Sequence, residues 1–256
     1  MTREFIKQAD PGVCQLELAA VLHASMLDDG IDCSVRTTLA DLAECPSGSR
    51  SADRAKCPVG TVEFCRAWMR AAGVSEPQPL DYPSSLRPYL ERDVRRLTRC
   101  GDARPGDWIK PVTTKAWAAE RVSPAGLSPG LRARGPAWSS KHLDILAEWR
   151  VYVLDGGILA ASRYDDGPNE MLEFDDALIA QMVADFGASG EAPTAYALDV
   201  ARLTNGRTAL VEVNDAWALG LYRGLRPRDY ADMLWSRWSE LLEAAPQERP
   251  EMATSL

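Results

Sequence analysis

The stretch from Tyr196 to Asp215, YALDVARLTNGRTALVEVND, constrains the fold more than any other part of the chain. Asn205-Gly206 is the strongest short signal for a two-residue type I′ hairpin turn. Such a turn pairs Thr204 with Arg207 and, counting outward, Asp199 with Glu212, Leu198 with Val213 and Ala197 with Asn214. Side chains alternate along a strand, so Leu198, Val200, Val211 and Val213 share a core face while Asp199, Glu212 and Asn214 share the other. Two carboxylates opposed across a ladder repel, and the arrangement calls for a compensating cation. Two carboxylates and an amide make an all-oxygen set that suits magnesium completed by phosphate oxygens and water.

Two further segments carry complementary chemistry. In Glu148-Trp-Arg-Val-Tyr-Val153, alternation sets Glu148, Arg150 and Tyr152 against Trp149, Val151 and Val153. Arg150 there is suited to a bidentate phosphate contact, the plainer alternative being a cross-strand ion pair. Lysine is scarce, five residues against 24 arginines, yet Lys110 and Lys115 fall together within Trp108–Trp117. A turn at Thr113-Thr114 lets both ammonium groups reach one polyanion; two solvated surface lysines are the alternative. Metal ligands, phosphate cations and an arginine form the inventory of phosphoryl transfer. The chain carries no Gly-x-x-x-x-Gly-Lys-Ser/Thr loop, no Gly-x-Gly-x-x-Gly after a strand and no Gly-x-Ser-x-Gly elbow. Its two histidines, His23 and His142, leave little material for a histidine triad or a zinc site.

A net charge of −8 argues against a general nucleic-acid or membrane surface. No apolar run reaches membrane-span length, and the polar start Met1–Asp10 lacks a signal-peptide core, so the cytoplasm is the expected compartment. Six cysteines, Cys14, Cys33, Cys45, Cys57, Cys65 and Cys100, show no Cys-x-x-Cys spacing and read as free thiols.

The chain divides into a mixed α/β unit over 1–100, a core over 101–245 and a frayed tail over 246–256. In the first unit a helix over Cys14–Asp28 carries Cys14, Leu18, Val21, Leu22 and Met26 at inward spacing, followed by a strand over Ile31–Thr37. Residues 44–60 read as a loop. A helix opened by Thr61 buries Val62, Cys65, Trp68, Met69 and Ala72 and stops at Gly73. Pro77–Pro88 is a connector, and the basic run Arg87–Arg99 reads as a solvated helix face. The core begins with a strand over Asp107–Val112, a loop over Ser123–Pro136 and a strand over Glu148–Leu154, which turns at Asp155-Gly156-Gly157 into Ile158–Tyr164. A helix capped by Asp175 or Asp176 buries Leu178, Ile179, Met182, Val183 and Phe186 and stops at Gly187. After the 196–215 hairpin, Pro227 starts a helix burying Tyr230, Leu234, Trp238 and Leu241.

The order Ile109-Lys-Pro111, then Glu148–Val153 with its hairpin, then Leu198-Asp-Val200, then Val211-Glu-Val-Asn-Asp-Ala-Trp-Ala-Leu-Gly-Leu-Tyr222 resembles the ATP-grasp fold. It is most similar to the clade named for one arginine and two lysines. The likeness spans roughly residues 58–224 and includes Pro58–Phe64 and Asp81-Tyr-Pro83. The resemblance implies an α+β protein in which two α+β subdomains grip ATP, preceded by the smaller N-terminal unit. It further implies that Lys110 and Lys115 bind nucleotide phosphates, that Arg150 contacts the transferred phosphate or acyl phosphate, that Glu148 lies where the hinge meets adenine or ribose, and that Asp199, Glu212 and Asn214 hold Mg2+. Lys115 and Arg150 would then stand nearest the chemistry. Arg96 and Arg99 are candidates for lining the volume beside the γ-phosphate. Family members typically activate a carboxylate as an acyl phosphate and let an amine or thiol displace phosphate. The expected partners are therefore a small-molecule or peptide carboxylate and an amine acceptor. Two other classes stay open: a nucleotide-binding regulatory or interaction module without turnover, and a kinase on the same scaffold. The oligomeric state is not readable.

Overall fold

The structure is a computed structural model and describes residues 2–12, 15–165 and 174–245. Cys14 and the tail from Pro246 lie outside the described residues. Three sheets organise the described residues. The first is parallel, with β1 (Arg3–Gln8) between β2 (Ile31–Thr37) and β3 (Cys57–Val59). Around it lie α1 (Leu16–Leu27), α2 (Leu39–Ala43) and α3 (Val62–Ala72). A second, antiparallel sheet has β4 (Val94–Leu97), β5 (Trp108–Pro111), β6 (Glu120–Arg121) and β7 (Ala137–Ser140) in the order β4-β7-β5-β6, with the short α4 (Pro129–Arg132) beside it. The third, also antiparallel, has β8 (Ile145–Leu154), β9 (Gly157–Arg163), β10 (Ala195–Leu203) and β11 (Thr208–Asp215) in the order β11-β10-β8-β9. Two helices, α5 (Asp176–Ala188) and α6 (Pro227–Ala244), complete the set.

The strongly patterned helices form as their spacing dictates. On α3, the Thr61 hydroxyl caps the Phe64 N–H at 3.2 Å and Gly73 closes the helix at φ +71°. All five of its expected inward residues are buried. On α5, the Asp175 carboxylate caps the Leu178 N–H at 3.1 Å. That helix runs through Gly187, the expected stop, because the left-handed residue that ends it is Gly190 at φ +72°. On α6, Tyr230, Leu234, Trp238 and Leu241 are all buried.

Elsewhere tertiary packing overrides the pattern. On α1 the buried stripe is Ala20, Val21 and Ala24, whereas Leu22 and Met26 are 44% and 75% exposed. The helix lies against α6 through its small residues. The expected loop over 44–60 contains β3, and β1 arises within a start that reads only as polar. The basic run is not a helix face: it forms a short 3-10 turn and then β4, which lies N-terminal to residue 100 but pairs with β7.

The 196–215 hairpin reaches its expected register by an unexpected route. Leu203 accepts from Gly206 N–H at 2.9 Å and donates to Arg207 C=O at 2.8 Å, so the loop is the three residues Thr204-Asn205-Gly206. Only Gly206 among them is left-handed, at φ +81°, as in a type I turn closed by a glycine bulge rather than type I′. Near the turn, Val200 pairs with Leu210; farther out, Asp199 pairs with Glu212, Leu198 with Val213 and Ala197 with Asn214. Val211 is the extra residue, a β-bulge that offsets the extra turn residue. Leu210 therefore takes the place expected of Val211. Leu198, Val200, Leu210 and Val213 pack with Val151, Val153 and α5, while Val211 packs only at the margin of a separate small cluster. Each fully buried aliphatic contributes roughly 1.5–3 kcal/mol. The opposite face of the sheet meets α6 and the first sheet through Tyr152, Ala195 and Ala197.

Candidate active site

The polar face of the third sheet is built by the ladder. Asp199 stands on the central strand β10, opposite Arg150 of β8 on one side and Glu212 of β11 on the other. Arg150 grips Asp199 with two parallel bonds, Nε to Oδ1 at 2.8 Å and Nη2 to Oδ2 at 2.7 Å, and donates from Nη1 to Gly220 C=O at 3.1 Å. Asn214 Nδ2 donates to Asp199 at 2.9 Å and Glu212 at 3.3 Å. Lys110 reaches over from β5 and donates to Glu212 Oε2 at 2.6 Å. The cations that answer the Asp199–Glu212 repulsion are thus the chain's own, one per carboxylate. The case for a metal rests on donor chemistry rather than on an uncompensated charge.

Electrostatics follow this pairing. Burial opposes ionisation of Glu212, but Lys110 beside it outweighs burial and holds the carboxyl below its usual range. Burial would push the Lys110 ammonium down, yet Glu212, Tyr82 and Asp81 carry it above its ordinary value. Burial also pushes Asp199 up, against the pull of the Arg150 guanidinium.

Two cavities flank this face. The larger, about 450 Å³, is walled by Lys110, Lys115, Arg150, Glu212 and Asn214, with Trp117, Trp217 and Tyr222 beyond. Lys115 is exposed on the turn after β5, at φ +54°, where Ala116 N–H bonds Thr113 C=O. The smaller cavity, about 240 Å³, lies between the second and third sheets, lined by Trp108, Trp138, His142, Ile145 and Val211 among others. Glu148 is on neither wall; it accepts a hydrogen bond from the Tyr164 hydroxyl. Tyr164 stacks on Tyr222 at 4.5 Å, and the Arg150 guanidinium lies 5.0 Å from the Tyr222 ring. Arg96 and Arg99 are exposed and line neither cavity.

Among the described residues no group of three or more histidine, cysteine, aspartate or glutamate side chains forms a metal cage. A metal here would be held by the mixed carboxylate–amide set and completed by ligands from outside the chain. Hard oxygens on the wall of an open cavity fit a magnesium ion bound with phosphate.

The model of an ATP-grasp domain, family 3 of the clade named for one arginine and two lysines, matches residues 46–241. The chain belongs to that family. Its fold is the ATP-grasp fold, and solved structures share it at low identity. The ATP-grasp ligase PsnB, complexed with a minimal precursor, is 14% identical, with 92% of this chain and 99% of that one covered at a TM-score of 0.52. D-cycloserine synthetase DcsG is 14% identical, with 91% and 99% covered at 0.55. N5-carboxyaminoimidazole ribonucleotide synthetase from Thermotoga maritima is 7% identical, with 92% and 76% covered at 0.55. No curated protein matches the chain in sequence.

Several residues of this candidate site escape a reading of strand periodicity. Asp81 belongs to the connector, and its carboxylate meets Lys110 at 2.5 Å and the Trp138 indole N–H at 2.7 Å. Tyr82 packs edge-on against Trp138, centroids 5.1 Å apart. Arg92, from the basic run, donates to the Leu210 and Val211 carbonyls at 2.8 and 2.7 Å, bracketing the bulge. The only sequence signal for the first two is the Asp81-Tyr-Pro83 motif.

Proposed function

We propose that this ATP-grasp chain is an ATP- and magnesium-dependent ligase that joins a carboxylate to an amine, or to a thiol, through an acyl phosphate. One observation carries the reading: a single cavity wall gathers two lysines, one arginine and the oxygen set of Glu212 and Asn214, with Asp199 bonded directly behind. Lys110 and Lys115 would bind nucleotide phosphates as point charges, and Arg150 would present its planar cation to the phosphoryl group in transfer. Asp199, Glu212 and Asn214 would hold magnesium, which when bound neutralises charge on the phosphates. A substrate carboxylate oxygen attacks the γ-phosphorus, and the bond to the ADP oxygen breaks. The amine nitrogen then attacks the acyl carbon, phosphate leaves with the C–O bond, and the nitrogen gives up a proton. No protein nucleophile is required, in keeping with the scarcity of histidine.

Support for a peptide or small-molecule acid comes from the neighbours: PsnB is complexed with a precursor, macrocyclase MdnC is bound with precursor peptide MdnA, and DcsG is a synthetase of a small molecule. The five described cysteines are free thiols, and no described helix is long and apolar enough to cross a membrane. Both fit a reaction in the cytoplasm. Isothermal titration tests the reading: wild type should bind ATP with magnesium, Glu212→Ala should bind at least about tenfold more weakly, and ADP release should require both an acid and an amine. Absence of ATP binding by wild type would sink the proposal. A stable phosphorylated product formed without amine would make the chain a kinase instead.

A further inference from the structure

Asp81 joins the two sheets that flank the nucleotide cavities. Its backbone is left-handed, at φ +44°, a region aspartate tolerates better than most residues. In that conformation its C=O accepts from Val213 N–H of β11 at 2.9 Å, while its carboxylate turns to the other sheet. There Oδ1 takes Lys110 Nζ of β5 at 2.5 Å and Oδ2 takes Trp138 Nε1 of β7 at 2.7 Å. One residue, only 9% exposed, thereby makes three bonds to three strands in two sheets.

We propose that Asp81 is a positioning residue that aims Lys110 into the larger cavity and keeps it aimed when Glu212 is engaged elsewhere. Among the described residues Lys110 has two carboxylate partners, Asp81 and Glu212, and its ammonium also lies 4.8 Å from the Tyr82 ring. Arg92 is the other cation over that ring, at 5.7 Å. Of the two carboxylates only Glu212 belongs to the oxygen set assigned to magnesium, a point that rests on the ligase reading. Once Glu212 turns to a metal, Asp81 is the remaining carboxylate that holds Lys110 in place. Its second oxygen, held by the Trp138 indole, fixes the carboxylate plane, so the ammonium meets a partner that is itself immobile.

The chain has only five lysines, which makes their ammonium groups separable by 1H–15N correlation spectroscopy on the ligand-free protein, with Lys110→Arg for assignment. A slowly exchanging Lys110 signal is expected in wild type, lost or moved in Asp81→Asn and retained in Asp81→Glu. Asp81→Asn keeps an oxygen for Trp138 and removes the charge, so its affinity for ATP with magnesium should fall about tenfold, the scale of one charge-assisted partner. A Lys110 signal unchanged in folded Asp81→Asn overturns the proposal. Lys110→Met gives a second reading that does not need an Asp81 variant to fold: it should shift the Trp138 indole N–H resonance through the shared carboxylate, and an unmoved indole also overturns the proposal. Failure of wild type to bind ATP would strike the ligase reading alone, because both spectroscopic signals are read without ligand.

Discussion

Replacing Arg150 by methionine should destabilise the protein by an amount that depends on pH in a defined way. Asp199 is 2% exposed, and among the described residues Arg150 supplies two of its three side-chain hydrogen bonds, leaving Asn214 at 2.9 Å. Gly220 C=O, which Arg150 also serves, keeps the Tyr152 hydroxyl at 3.2 Å, so the loss concentrates on the carboxylate. Stranding one member of a buried pair costs about 3–5 kcal/mol. Protonation sets a ceiling on that cost. Neutralising a carboxyl of ordinary value 3.8 at pH 7 costs about 4.4 kcal/mol, and at pH 5 the same step costs only about 1.6 kcal/mol. Burial already raises the Asp199 carboxyl with Arg150 beside it, and losing that guanidinium raises it further, so the added penalty is absent below the unfolded 3.8 and grows as pH rises above the wild-type folded value. Urea unfolding followed by circular dichroism should show a deficit of about 3–4 kcal/mol at pH 7 that shrinks to about 2 kcal/mol or less at pH 5. Adding Asp199→Leu to Arg150→Met should recover most of it, since an apolar pair of similar volume strands no charge. A deficit that is equal at both pH values, or a double variant less stable than the single one, would refute this account.

The two remaining predictions concern the same hairpin. Gly206→Ala places a Cβ on a residue at φ +81° with open space around it, so the cost is conformational alone, about 1–2 kcal/mol in urea unfolding; a neutral substitution would mean that the turn is not left-handed at Gly206. Glu212 is held below its ordinary 4.5, so its ionised form stabilises fully above that pH and the contribution is lost as pH falls through the lowered folded value. Wild type should therefore lose stability between about pH 5 and pH 3 more steeply than Glu212→Gln, and equal slopes in an acid titration would count against the Lys110–Glu212 pair.

Where a segment's own chemistry decides its structure, the sequence was legible. Thr61 and Gly73 bracket α3 because a hydroxyl cap and a left-handed glycine act locally, and the alternation from Arg150 to Val153 survives because both faces of that strand are occupied. Strands β1 and β3 were not legible, since segments of six and three residues gain their identity from the neighbours they pair with. Leu22 and Met26 misled for a related reason: helical spacing shows that a stripe exists, while the small residues of α1 decide which stripe meets α6. At the site, the alternation that placed Asp199, Glu212 and Asn214 together also foretold their face. Arg150, which neutralises Asp199, stands beside it on β8, but Lys110, which neutralises Glu212, comes from β5 with Asp81 of the connector behind it, and no periodicity along one strand can point to residues on another sheet.

The hairpin keeps its acidic pair opposed through two irregularities of opposite sense, the third turn residue and the bulge at Val211. Its length therefore obeys a parity rule. Inserting or deleting one residue between Asp199 and Glu212 flips one strand of the site to the wrong face unless a bulge or a turn residue is gained or lost with it. Loss of Val211 alone leaves Asp199 facing Glu212 on a regular ladder, whereas loss of Leu210 moves a valine into the α5 core and leaves the acidic pair where it stands only if the bulge is given up. Related chains that differ in length here should differ by such matched steps, so the count of residues in this hairpin reports whether a relative still assembles the site.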